Sequence, residues 1–166
     1  RSLVPLSPLR HAPAWATSDA QRLRLGPAPP GLVTPAHLAP GTNFEFLVAF
    51  LPRAGKLGAF DFNSRFYADD DHLVGAADPF QLFRILHEGN QGGGFEPTSG
   101  VTFMLDQCHN IEANIPGQIR SIMNGQEAVA KVLLVDQEAL APAQASRDVP
   151  EAHGARLGAA RTAVRP

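Results

Sequence analysis

Three times between residues 32 and 140 a short apolar run gives way to a helical pattern, and polar residues stand where the run ends. That alternation restricts the fold more than any other feature, because strands that each lead into a helix build a parallel sheet with right-handed crossovers. Leu32 and Val33 make a very short first strand, 56–63 (KLGAFDFN) the second, and Val101-Thr102-Phe103-Met104-Leu105 the third, unbroken enough to be buried on both faces. The fold class expected is α/β, with room for three or four βα units, about half of a closed eight-unit barrel. Fifteen glycines and fifteen prolines suit such a chain, where they punctuate many short connections.

The helices announce themselves by their ends. Thr42 or Asn43 caps the first, Glu45 complements its positive end, and Phe46, Leu47, Phe50 and Leu51 form its apolar stripe. Asp78-Pro79 opens the second, whose inner face is Phe80, Phe83, Ile85 and Leu86, and the glycine-rich run over 89–94 stops it. The longest pattern covers 116–140, with Ile119, Ile122, Met123, Ala130, Leu133 and Leu134 at three- and four-residue spacing. By this reading 1–31 is a poorly defined N-terminal segment with a short helix over 17–25, 32–142 is the βα domain, and 143–166 is a C-terminal surface segment.

Composition excludes several functions. With 14 Lys and Arg against 16 Asp and Glu, a formal charge of -2 provides no field to hold a nucleic-acid backbone. No apolar run approaches the roughly 18 residues of a membrane span. The opening segment, broken by Pro5, Pro8 and Pro13, has no signal-peptide core. Cys108, the single cysteine, rules out an intramolecular disulfide framework and agrees with a cytoplasmic location.

Polar residues collect where strands end: Thr34 and His37 after the first, Asp61 and Asn63 at the second, Asp69 and Asp71 in the loop that follows, Asp106 and His109 at the third. In α/β folds that face holds the site. Carboxylates and histidines gathered there repel one another unless a cation sits among them, and oxygen-dominated ligation suits Mn²⁺, Mg²⁺ or Co²⁺ better than zinc. Each residue also has a plainer reading. Asp69-Asp70-Asp71, taken alone, is more often a solvated loop than a ligand set, and it fails the EF-hand pattern because position 74 is Val and no Glu closes the loop. Asp61 and Asp106 serve equally as caps or turn residues, and His37 as a loop histidine. His11, His72, His87 and His153 read as surface or packing residues, and Cys108 as a small apolar one. Gly92-Gly93-Gly94 lacks the Lys-Ser/Thr of a phosphate loop.

The strings APGTNFEFLVAF, GKLGAFDFNSRFYADDD, VGAADPFQLFRIL and VTFMLDQCHNIE resemble the later half of bacterial L-rhamnose isomerases, xylose-isomerase-like TIM barrels. The resemblance runs from about Trp15 to Pro166 and is dense over 39–140. It implies a partial (β/α)8 barrel and a metal-dependent aldose–ketose interconversion by hydride shift between C1 and C2 of a sugar. It implies two divalent ions, Mn²⁺ or else Mg²⁺ or Co²⁺. Asp61 and Asp106 resemble ligands of the metal that binds substrate oxygens, and His37, Asp69 and Asp71 those of the second, catalytic metal. The family forms homo-tetramers, so a homo-oligomer or a complementing barrel half is the expected partner. Two departures stand out. Thr34 replaces a ligand aspartate three residues before the histidine, and the family's first ligand, a glutamate, falls immediately before residue 1, with Arg1 at the position of a following lysine. Both remove anionic ligands, so the expectation is an incomplete or impaired copy. The rival expectation is a non-catalytic barrel fragment acting as a scaffold or interaction module.

Overall fold

The computed structural model of the chain describes residues 20–25, 35–37, 44–64, 72–106 and 114–164. Strands β1 (Ala20–Leu25), β2 (Pro35–His37), β3 (Leu57–Phe62) and β4 (Thr102–Leu105) form one sheet in the order β2-β1-β3-β4. Helices α1 (Phe44–Arg53), α2 (Pro79–Gln91) and α3 (Asn114–Leu133) follow β2, β3 and β4 in turn; α4 (Gln137–Ser146) and α5 (Val149–Arg161) come after. The fold is mixed α/β, and the strand-then-helix alternation is present three times.

The expectation of an all-parallel sheet needs correcting. β3 and β4 are parallel, but β1 pairs antiparallel with both β2 and β3. Strands β2, β3 and β4 therefore run in one direction, with the reversed β1 inserted between the first two. The described sheet is open and mixed. β1 occupies most of the segment read as a helix over 17–25. Its sequence explains the difference: Arg22 and Arg24 alternate with Leu23 and Leu25, the period of two that a strand requires. The strand expected at Leu32-Val33 lies outside the described residues, and β2 forms slightly further on.

The core lies between β3 and the helices. Phe60, fully buried, stacks on Phe62 at 5.1 Å and on Phe103 at 5.4 Å between ring centroids. A Cβ built on Gly89 of α2 would lie 3.7 Å from the Phe60 ring and 3.8 Å from Val48 of α1, which identifies this side of the sheet as the helix side. Val48, Leu51, Leu82, Phe83, Ile85, Leu86, Val132 and Leu140 complete the same cluster.

Helix ends follow the capping rules. The Asp78 carboxylate accepts from Gln81 N at 2.8 Å to start α2, with Pro79 as its first residue. Asp136 accepts from Ala139 N at 3.0 Å, so the long helix expected over 116–140 is two helices, the second beginning at a cap of its own. Past Pro142, α4 ends and α5 starts behind Asp148, and the mostly exposed pair buries Leu140, Ala143 and Ala159.

Two apolar stripes differ from expectation. In α1 the buried residues are Phe44, Val48 and Leu51, while Phe46 and Phe50 stack on each other outside. In α3 the buried positions are Gly117, Ser121, Ala128 and Val132, whereas Ile119, Ile122 and Leu133 are 52%, 47% and 66% exposed.

Candidate functional site at the strand ends

Side chains alternate across a strand, so the stacking of Phe60, Phe62 and Phe103 on the helix side places Asp61 and Asn63 on the opposite face of β3. Met104 is the register partner of Asp61, and two residues further Asp106 shares that face. The ladder continues beyond the strand: Asp106 N donates to Phe62 O at 2.9 Å, and Asn63 Nδ2 donates to Asp106 O at 3.2 Å. Asp61 is 2% exposed and Asn63 not at all, whereas Asp106 is half-buried. The C-terminal ends of the parallel pair thus bring Asp61 and Asp106 to one face, one strand apart.

His37 joins the same row from the far side of the sheet. Arg22 is in register with His37 on β2 and with Asp61 on β3. His37, Arg22, Asp61 and Met104 therefore form one line across four strands. At ordinary strand spacing the Cα atoms of His37 and Asp61 stand roughly 10 Å apart, with the arginine position between them.

Asp69 and Asp71 lie outside the described residues, as do Thr34 and His109. The base of the loop that carries the two aspartates is described. Ser64 N donates to His72 O at 3.0 Å and His72 N to Ser64 O at 2.7 Å, so the residues that flank 65–71 meet at one antiparallel bridge directly after β3. The segment after His72 is pinned further. Ser64 Oγ accepts from Ala76 N at 3.0 Å, Ser121 Oγ accepts from Val74 N at 3.1 Å, and Asn124 Nδ2 donates to Val74 O at 2.8 Å. Buried serines here satisfy backbone amides that no helix or strand supplies with partners. Among the described residues, no three His, Cys, Asp or Glu side chains converge as metal ligands would.

Arg22 and the Ser64–His72 bridge were not among the residues singled out from sequence. The two-residue alternation of β1 is the signal that exposes Arg22 as a strand residue. Ser64 and His72 meet through tertiary folding, and no local pattern marks them.

No family model matches the chain. It is 38% identical over 157 residues to a protein of Rhizobium meliloti named a probable sugar isomerase. It is 37% identical over 157 residues to a protein of Mesorhizobium japonicum with the same description. Each match covers 92% of this chain and 36% of the relative, so the chain spans little more than a third of the length of these relatives. Both relatives are described as probable sugar isomerases, a description that names no particular sugar.

Proposed function

We propose that the chain carries the strand-end face of a metal-dependent sugar isomerase of L-rhamnose isomerase type, which interconverts an aldose and a ketose by a 1,2-hydride shift. The observation that carries this reading is the pairing of Asp61 and Asp106 on one face, at the C-terminal ends of parallel strands and opposite the helix layer. Two carboxylates and the Asn63 amide are hard oxygen donors, the chemistry that Mn²⁺, Mg²⁺ or Co²⁺ favours. A divalent ion held there supplies Lewis-acid polarisation of the sugar's carbonyl and hydroxyl oxygens.

In this reading the chain's own residues divide the work. Asp61 and Asp106 hold the ion that receives substrate oxygens. His37, with Asp69 and Asp71 from the loop anchored at Ser64 and His72, forms the second, catalytic ligand group. Asn63 ties the end of β3 to Asp106 and so fixes the spacing of the two carboxylates. Excluding water from the buried Asp61 strengthens its hold on a cation.

A second reading, a barrel-derived chain that keeps the fold without turnover, is favoured by Arg22. In register it stands between His37 and Asp61, so the strand order sets an arginine position between two of the expected ligand positions. Calorimetric titration with Mn²⁺, paired with an assay for conversion of L-rhamnose to L-rhamnulose, separates the readings. The isomerase reading expects Mn²⁺ binding that weakens at least about tenfold in Asp61→Asn combined with Asp106→Asn. Binding indifferent to that double substitution overturns the ligand assignment.

A further inference from the structure

We propose that the cavity where α1 and α2 meet the pair α4 and α5 binds a small phosphorylated molecule through three arginines, at a site separate from the strand-end face. The cavity measures about 420 Å³ and is lined by Arg84 of α2, Arg147 at the turn between α4 and α5, and Arg156 of α5. His153 of α5 lines it as well. Because α1 and α2 cover the Phe60 side of the sheet, the cavity lies on the opposite side of β3 from Asp61.

Three guanidiniums around one cavity repel one another unless anions stand among them. Two of them have a carboxylate: Arg84 Nη2 lies 2.9 Å from Glu45 Oε1, and Arg156 Nη2 lies 3.3 Å from Glu88 Oε1. Arg147 has no carboxylate within ion-pair distance among the described residues. Asp148 also lines the cavity, but its carboxylate caps α5, accepting from Glu151 N at 3.1 Å. One charge of the three is therefore uncompensated.

The two paired arginines are not fully satisfied either. The Nε of Arg84 and the Nε of Arg156 are closed to solvent, and neither meets an acceptor among the described residues. A guanidinium has five N–H donors, and a buried donor without an acceptor is the exception that an additional bound ion explains. The plainer reading makes these side chains clamps between helices, with Arg84 also 5.1 Å above the Phe80 ring. It accounts for Arg84 and Arg156 but leaves Arg147 at the same cavity without a role.

Geometry selects phosphate among anions. The three guanidiniums come from three separate places in the chain, and a tetrahedral group with several oxygens can meet all of them. A carboxylate is planar and pairs with a single arginine, as Glu45 and Glu88 do here. The cavity volume falls within the range of small-molecule pockets, roughly 300–1,000 Å³. Phe80, Val149 and Ala152 give the organic part of the molecule an apolar wall.

The test is calorimetric titration of the chain, at fixed ionic strength, with glycerol 3-phosphate, inorganic phosphate and acetate. The expected result is that glycerol 3-phosphate binds at least as tightly as inorganic phosphate and about tenfold or more tightly than acetate. Arg147→Gln is expected to weaken that binding about tenfold, the loss of one charge-assisted contact, and its combination with Arg156→Gln to weaken it further. Arg147 is exposed, so its single variant keeps the urea midpoint, and Arg120→Gln on α3, outside the cavity, leaves binding unchanged. No binding of either phosphate probe overturns the proposal, as does binding that tolerates Arg147→Gln or acetate that binds equally well. Inorganic phosphate binding more tightly than the ester overturns the assignment to a phosphorylated molecule. None of these readouts involves sugar turnover or a metal ion, so their failure leaves the isomerase reading standing.

Discussion

Phe60 shows how a single side chain ties the sheet to the helices. It has no exposed surface, it stacks on two other rings, and its ring edge lies against Gly89 of α2. Phe60→Ala should therefore cost about 3–5 kcal/mol in urea denaturation, the range for truncating a fully buried aromatic. A second prediction concerns Glu88. Its Oε1 lies 3.3 Å from Arg156 Nη2 and 3.7 Å from His87 Nδ1. The His87 side chain, then Arg156, and then Arg53 hold its carboxyl below the ordinary value of 4.5, against the opposing effect of burial. A carboxylate with a lowered folded pKa stabilises the fold above its unfolded value and loses that contribution as pH falls through the folded value. Glu88→Gln should consequently be less stable than the parent chain at neutral pH, and the gap should close as unfolding is followed below about pH 4.5.

At the scale of elements, α1 and α2 meet at their C-terminal ends, where Gly92 caps α2 against Pro52 of α1. A Cβ at position 92 would stand 2.7 Å from the Pro52 Cβ, a ring atom with little freedom to retreat. Gly92→Ala should destabilise by about 1–3 kcal/mol through overpacking, read as a lower urea midpoint with an unchanged slope. In the sequence this glycine belongs to the run that stops α2; its packing against Pro52 depends on a residue distant in the chain, which no local pattern marks. Strong local signals were legible: Asp78-Pro79 starts α2, and the apolar runs at 56–63 and 101–105 became β3 and β4. What failed were period assignments in short windows. β1 was read at the helical period although its arginines alternate, and in α1 the stripe was assigned to Phe46, Leu47, Phe50 and Leu51, whereas packing buries Phe44, Val48 and Leu51.

For the whole molecule, the shared face of Asp61 and Asp106 was legible because both close apolar strands. The alignment of His37 with Asp61 through Arg22 was not, because it depends on a reversed strand pairing two distant segments. Thr34 offers a neutral hydroxyl where the resemblance calls for a carboxylate. With a hydroxyl at that position the chain should show little or no turnover of L-rhamnose, and Thr34→Asp should raise Mn²⁺ affinity in calorimetry. Robust metal-dependent turnover by the unaltered chain would refute the claim that a carboxylate at position 34 is indispensable. The topology also sets an order of assembly. α4 and α5 are neighbours in sequence and pack as a local hairpin, whereas the β1–β3 and β3–β4 pairings each enclose a helix before they can close. Closing such loops loses chain entropy before any strand contact returns it, so the helical hairpin forms early and the sheet sets the folding rate. During that interval β3 is an unpaired run of Leu57-Gly58-Ala59-Phe60, and the nascent molecule is most open to aggregation there.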